Sequence, residues 1–303
     1  MAMRFPLTEL LDEQESYNFL LKTLHPAGLK CKHGHPLPPD QKPHDRRRAP
    51  IFDYRCRICG NVFNIFTATV WQGTQYDCRK IVLIMRGVAQ GTPTLHLADE
   101  LEVDYGTLLE RRHRIQKLAQ AHKPDTALTD EETEADEMFH AERAGEKGTK
   151  HDDPDDPPRR RANKRPGKGT MANDRPPVLG VVGRETGQIR LEVCDDTTQD
   201  TIQPEVEHKT GPTTTLYTDE SNAYNRVAGT GRGHGTVCHS QKEWARDDDG
   251  DGIREVHCNT MEGIWTGLRN FLRPFRGIHK KTCLSMWLCL SGLIISNESL
   301  LTS

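Results

Sequence analysis

The chain has 303 residues, 34% of them hydrophobic and 28% charged, with a formal net charge of −3. That length allows two domains with cores of their own, but the low apolar share fits modest domains joined by polar connectors, and the net charge excludes a uniformly basic coat for nucleic acid. No run reaches the roughly 18 apolar residues of a membrane span, since Leu284 to Ile295 is short and broken by serines. Charge is segregated: Glu131 to Asp156 is acidic, whereas Arg159, Arg160, Arg161, Lys164, Arg165 and Lys168 form a basic run.

The start, Met1-Ala2-Met3-Arg4-Phe5-Pro6, lacks the apolar core of an export signal. Nine cysteines, two of them in a Cys-x-x-Cys pair, point to metal binding in a reducing, cytoplasmic setting rather than to a disulfide framework. Residues 1–24 are read as an N-terminal extension. Residues 25–72 carry the pair Cys56-Arg57-Ile58-Cys59-Gly60. Two thiolates at that spacing reach one ion, and the following glycine permits the turn beneath it. Upstream, Cys31-Lys32-His33-Gly34-His35 offers the other half, so Zn²⁺ is expected at Cys31, His35, Cys56 and Cys59, with His33 in place of His35 as the open alternative. Asp53-Tyr54-Arg55 and Asn61 to Phe66 alternate as short strands around the pair, which together make a zinc ribbon.

Residues 76–120 read as a helix-turn-helix. Ile81, Val82, Met85 and Val88 recur at helical spacing from Cys78 to Ala89, and Gly91 and Pro93 end that helix. Thr94 is expected to cap Leu95 to Leu101, a turn follows at Glu102-Val103-Asp104, and Tyr105 to Leu118 forms a second, basic helix. Arg111, Arg112, Arg114 and Lys117 on it are candidate DNA-phosphate contacts.

Residues 121–132 are a polar linker with Pro124. Beyond it come strands at Thr133 to Phe139, Val178 to Val182, Ile189 to Val193 and Thr214 to Tyr217, with a helix at Asp200 to Glu207. The insert from Ala144 to Arg175 is too polar to bury a core and is expected to be a mobile loop whose Arg159, Arg160 and Arg161 touch the DNA backbone. The order fits an α/β domain of the RNase H-like kind, a mixed sheet flanked by helices, over residues 133–281.

Three acids are set distinctively in this domain. Asp136 lies in Glu134-Ala135-Asp136-Glu137 and Asp219 in Leu216-Tyr217-Thr218-Asp219-Glu220, both in strand-like runs, whereas Glu262 lies in a helix-like run, Asn259-Thr260-Met261-Glu262-Gly263-Ile264-Trp265. Converging carboxylates repel one another unless divalent cations sit between them, which is the logic of two-metal phosphoryl transfer with Mg²⁺ or Mn²⁺.

Over roughly residues 25 to 281 the chain resembles a known family, the DDE-class insertion-sequence transposases with an N-terminal zinc ribbon, the fifteen-ninety-five insertion-sequence family. The resemblance rests on Tyr54-Arg55-Cys56-Arg57-Ile58-Cys59-Gly60 with Phe63 and Thr67-Ala68-Thr69-Val70-Trp71, on Ala135-Asp136-Glu137, on Thr218-Asp219-Glu220 with Ala223-Tyr224, on His239-Ser240, and on His257-Cys258-Asn259-Thr260-Met261-Glu262-Gly263-Ile264-Trp265. It implies a transposase that binds terminal inverted repeats of an insertion sequence and acts on double-stranded DNA as a homo-oligomer, associated with the nucleoid. Water would release a 3′-hydroxyl at a transposon end, and that hydroxyl would then attack target DNA. By the same resemblance Asp136, Asp219 and Glu262 are the Mg²⁺-binding catalytic residues, with Asn259 as the alternative third position. Arg269, seven residues after Glu262, stands where the family has a lysine and is a candidate DNA contact. Residues 282–303 depart from the family's aromatic-rich helix and read as a divergent, frameshifted tail. That departure leaves a second reading, a zinc-dependent DNA-binding protein that has lost catalysis.

Overall fold

The computed structural model describes residues 12–139, 168–172, 175–275 and 278. Most of the insert, with Arg159, Arg160 and Arg161, and all of the tail from residue 282 lie outside them. The described residues divide into two compact units, one up to Lys123 and one from Pro124 on.

The first unit begins with a helix inside the expected extension, α1 (Glu13–Leu24), started by Asp12, whose Oδ1 accepts from the Gln14 and Glu15 amides. A two-residue antiparallel pair follows, β1 (Tyr54–Arg55) and β2 (Val62–Phe63), in the register Tyr54 to Phe63. Three helices complete the unit: α2 (Cys78–Ala89), α3 (Thr94–Leu101) and α4 (Tyr105–Ala121). The helical spacing read at α2 buries Ile81, Val82, Met85 and Val88 as expected. Glu13 of α1 accepts from the amides of Cys78 at 2.7 Å and Arg79 at 3.2 Å, so one helix supplies a cap to another. Thr94 does not cap α3. It is the first residue of the helix and is buried, and the preceding Pro93 offers no side-chain acceptor. Asp104 caps α4 through the Thr107 amide. Leu20, Trp71, Ile81, Ile84 and Leu108 form the centre of this unit's core.

The second unit is a mixed five-stranded sheet in the order β5-β4-β3-β6-β7, built from β3 (Glu132–Phe139), β4 (Pro177–Gly183), β5 (Ile189–Val193), β6 (Thr215–Thr218) and β7 (Gly233–Thr236). β3, β4 and β5 run antiparallel in succession, whereas β6 and β7 run parallel to β3. β4 is buried at all seven positions, as a strand covered on both faces must be. On one face Ala135, Leu179, Val181 and Leu216 pack with Ile202 and Val206 of α5 (Gln199–Lys209) and with Tyr224. The other face carries α6 (Asn259–Leu272), which buries Met261, Trp265, Leu268 and Leu272. The approach of α6 is close enough that a Cβ on Gly180 would lie 2.3 Å from Met261 Cε and 2.7 Å from the Trp265 ring, so only glycine fits at that point of β4.

Candidate active site and metal centres

Strand alternation sorts the acids of β3 between these faces. Ala135 packs on the α5 side, while Glu134 and Asp136 face α6. The side chain of Glu134 has no solvent exposure, and its charge is met by Arg184, whose Nε donates to Oε1 at 2.9 Å. The same carboxylate accepts from the amides of Thr260 at 2.9 Å and Met261 at 3.1 Å and from the Thr260 hydroxyl at 2.8 Å. Glu134 is therefore the N-terminal cap of α6, supplied from the sheet, and it satisfies amides that would otherwise be buried without partners. Arg184 also lies 3.9 Å over the Tyr217 ring and donates to the Glu255 and His257 carbonyls. His257 Nδ1 lies 3.2 Å from Glu134 Oε1, which makes this histidine part of the cap.

One turn into the helix so anchored comes Glu262. Register supplies the rest: Glu134 pairs with Tyr217 across parallel β3 and β6, so Asp136, two residues beyond Glu134, is level with Asp219, two residues beyond Tyr217. The Trp265 indole of α6 donates to Asp136 Oδ2 at 2.8 Å. Burial pushes the Asp136 carboxyl up to about 6, helped by the negative charges of Asp219 and, less, of Glu262. The acids at Asp136, Asp219 and Glu262 thus share one electrostatic neighbourhood. Asp219 itself accepts from the Ser221 amide at 2.9 Å. Asn259 opens α6 and is exposed, and Arg269 lies on the same exposed face as Glu262, two turns on.

Two acids that the sequence reading left without a role belong here. Glu137 faces the α5 side, accepts from the Tyr224 hydroxyl at 2.5 Å, and is pushed up to about 7, chiefly by burial and against that hydrogen bond. Glu220, next to Asp219, accepts from the amides of His239 at 2.9 Å and Ser240 at 3.0 Å. That latch brings His239 Nε2 to 3.7 Å from Glu262 Oε1. The signals available were adjacency, Glu134 and Glu137 flanking Asp136 and Glu220 following Asp219, and the pair His239-Ser240.

In the first unit, one ligand atom from each of Cys31, His35, Cys56 and Cys59 falls within 4.8 Å of all the others. Cys31 Sγ lies 3.8 Å from Cys59 Sγ and 3.4 Å from His35 Nδ1, and Cys56 Sγ lies 3.5 Å from the same nitrogen. Tetrahedral bonds of about 2.3 Å to sulfur and about 2.0 Å to nitrogen give edges of about 3.8 and 3.5 Å, so the donor set fits Zn²⁺. His35 is the imidazole of this group, and His33 is not in it. The backbone amide and then the side-chain amide of Asn61 hold the Cys59 thiol down at about 6, which favours the thiolate.

The basic helix α4 departs from expectation. Arg111 and Arg112 are buried, Arg111 donating to the Val70 and Gln72 carbonyls and Arg112 to the Thr92 carbonyl. Both guanidiniums are thereby used inside the unit. Arg114, paired with Glu110 one turn earlier at 2.6 Å, and Lys117 are at the surface. Sequence reasoning overlooked that arginines adjacent on a helix can turn inward when loop carbonyls need donors.

A mixed sheet flanked by helices, with acids on neighbouring parallel strands and on the helix across them, fits the RNase H-like transposase domain. Residues 131–286, slightly more than half of the chain, match the ISXO2-like transposase domain, and the chain belongs to that family, the fifteen-ninety-five family of insertion-sequence transposases. An uncharacterized protein in transposable element ISH50 of Halobacterium salinarum is 28% identical over 229 residues, covering 75% of this chain and 73% of that protein. The cryo-EM structure of the simian T-cell lymphotropic virus intasome in complex with PP2A regulatory subunit B56 gamma aligns over 68% of this chain and 67% of that one, with 11% identity and a TM-score of 0.29. A likeness at that score carries no argument. Among the described residues, no helix is long and apolar enough to cross a membrane.

Proposed function

We propose that this chain is a DDE transposase that recognises the terminal inverted repeats of an insertion sequence and cuts and joins double-stranded DNA through Asp136, Asp219 and Glu262. The observation that carries the reading is the placement of the three acids: half-buried Asp136 is level with Asp219 across β3 and β6 and is bound by Trp265 of the helix that carries Glu262, and its carboxyl is pushed up first by burial, then by the charge of Asp219 and, less, by that of Glu262. Three hard oxygen donors in one electrostatic neighbourhood suit Mg²⁺ or Mn²⁺. When bound there, such ions supply charge stabilisation to the attacking and leaving oxygens of the phosphodiester. The protein's own contribution is positional. Trp265 fixes the orientation of Asp136, the Ser221 amide fixes that of Asp219, and the Glu134 cap fixes the start of the helix that carries Glu262. Asn259, within the capped turn, is the weaker choice for the third position, because Glu262 carries the charge that Asp136 senses. Arg269 extends the Glu262 face toward DNA phosphate.

In the same reading residues 25–72 are a zinc ribbon on Cys31, His35, Cys56 and Cys59, and α2 to α4 are a helix-turn-helix that grips end DNA through Arg114 and Lys117. The transposase assembles as a homo-oligomer on paired ends, in the nucleoid. The test incubates the protein with a labelled duplex bearing the DNA that flanks its gene, in Mg²⁺ or Mn²⁺ and in chelator, beside Asp136→Ala and Glu262→Ala. Metal-dependent nicking that leaves a 3′-hydroxyl at the repeat boundary is expected, with a loss on the order of a thousandfold or more in both variants, as for removal of several kcal/mol of charge stabilisation. Binding without nicking by the unaltered protein would replace this reading with a DNA-binding protein that no longer cuts.

A further inference from the structure

Trp244 stands out in the second unit. It is 57% exposed, the more open of the two exposed large aromatics among the described residues, the other being Tyr105 of the first unit. An indole is costly to leave in water, and the exposed residues near it in sequence are polar at Gln241, Lys242 and Asp248, with Ile253 the next exposed large apolar side chain along the chain. The ring is nonetheless held. Its centroid lies 5.0 Å from that of His239, tilted by 40°, and His239 Nε2 is 3.7 Å from Glu262 Oε1.

The loop that presents it is fastened on both sides. Glu220 holds the His239 and Ser240 amides. Glu243 accepts from the Cys238 amide at 3.0 Å and from Arg246 at 3.1 Å, and Arg246 donates on to the Thr236 carbonyl at the end of β7 at 2.8 Å. Between these anchors Lys242 adopts a left-handed φ of 62°, a conformation that a non-glycine residue keeps only when its surroundings impose it. The indole is thus a fixed feature beside Glu262.

We propose that Trp244, backed by His239, is a stacking platform for an unpaired nucleobase of the DNA whose phosphodiester lies at Asp136, Asp219 and Glu262. This rests on the transposase reading above. Every base has a π-face, and stacking on an aromatic side chain needs no hydrogen-bond code. Inside a duplex those faces are covered, but a base at a cut or distorted end is free to leave the stack. A flat ring within reach of the acids, with an ammonium two residues away at Lys242 to meet the following phosphate, suits that base. A second protein copy would want an apolar surround, whereas the exposed residues next to Trp244 in sequence, Gln241 and Lys242, are polar.

The full-length protein, Trp244→Ala and Trp244→Phe are titrated in buffer without added Mg²⁺ or Mn²⁺, by fluorescence anisotropy, against a labelled blunt duplex, the same duplex with a short oligothymidylate 3′ overhang, and the same duplex with an abasic overhang. The unaltered protein is expected to bind the thymidine-tailed duplex about tenfold tighter than the abasic-tailed one. Trp244→Ala should erase that preference and leave blunt-duplex affinity unchanged, and Trp244→Phe should keep most of it. A preference that survives Trp244→Ala, no preference in the unaltered protein, or equal loss on all three duplexes overturns the proposal. So does a shift of Trp244→Ala to a smaller species in size-exclusion chromatography, which would assign the indole to a contact between copies. Nicking of the flanking-end duplex in Mg²⁺ is scored on the same samples. If it proceeds and is lost in Asp136→Ala while the overhang preference is missing, only the stacking platform falls; if the unaltered protein neither nicks nor binds that duplex, the transposase reading falls and the platform with it.

Discussion

In the first unit four donors from two short turns already stand near the corners of a tetrahedron, and the amide groups of Asn61 favour the thiolate at Cys59. In the second, the acids come from β3, the end of β6 and α6, inside a sheet that has a full hydrophobic core without them, and burial in the folded state disfavours the charge of Asp136 and Glu137 on β3. The small knot around Leu29, Cys31, Cys56 and Phe63 has almost no core, so an ion bound there would supply folding energy. The sheet folds on apolar burial and accepts electrostatic strain at one point, where an ion would relieve it. On the proposed reading the difference teaches that a metal would act as a fastener in one unit and as a charge partner for chemistry in the other.

The largest effect expected from breaking this contrast lies in the first unit. Removing zinc with a strong chelator, or replacing Cys56 with serine, should unfold residues 25–72, since structural zinc contributes on the order of 10 kcal/mol or more. Calorimetry on the full chain should show the transition of the first unit collapse while that of the second stays in place, and metal analysis should find one zinc per chain, lost in Cys56→Ser. If both transitions moved together, the separation drawn here would be wrong.

Next in size is Glu134. Glu134→Ala leaves Arg184 buried beside an uncapped helix, and breaking such a pair costs about 3–5 kcal/mol. Urea unfolding of the full chain should show the midpoint of the second unit fall accordingly. Glu134→Gln should recover part of the loss, because its amide oxygen still accepts from Thr260 or Met261.

A smaller effect follows from the strained acids. The carboxyl of Glu137 is pushed up to about 7 by burial, and that of Asp136 to about 6. Between the ordinary carboxylate range and those values the folded chain holds protons at these two groups that the unfolded chain has released, so their contribution to stability is fullest at low pH and is lost as pH rises toward about 7. Each group accounts for roughly 3 kcal/mol across its window. Glu137→Gln, which still accepts from Tyr224, should flatten the upper part of that fall. Mg²⁺ should raise the melting temperature of the second unit at pH 8 and leave it unchanged at pH 5, where Asp136 is protonated. A metal-induced rise at pH 5 as large as at pH 8 would argue against Asp136 as a ligand.

Much of this architecture was legible in the sequence where one period dominated. The strand at Ile189 to Val193 and the helix at Cys78 to Ala89 form with the expected bounds, because apolar spacing there agrees with the local turn signals. α1 was passed over: its apolar residues Phe19, Leu20, Leu21 and Leu24 crowd one end of a polar helix whose start depends on Asp12. β7, Gly-His-Gly-Thr, has no strand signature at all and exists because β6 offers it a parallel edge. The acids flanking Asp136 could be seen but not assigned. Only register and packing reveal that Glu134 caps a helix more than a hundred residues away and that Glu137 meets Tyr224 on the opposite face.

The arginines of α4 give the smallest and most discriminating effect. Four neighbouring cations looked equivalent in sequence, yet Arg111 and Arg112 spend their donors on the carbonyls of Val70, Gln72 and Thr92, while Arg114 and Lys117 face water. A surface cation that meets a phosphate releases about one counterion, so Arg114→Ala and Lys117→Ala should each lower the slope of log affinity against log salt by about 1 and weaken binding to all sequences alike. Arg111→Ala, which strands two loop carbonyls, should instead lower the melting temperature of the first unit and leave the salt slope unchanged. If Arg111→Ala changed the slope while the fold held, its guanidinium would have to leave the Val70 carbonyl when DNA binds, and the division between structural and DNA-facing arginines on α4 would fall.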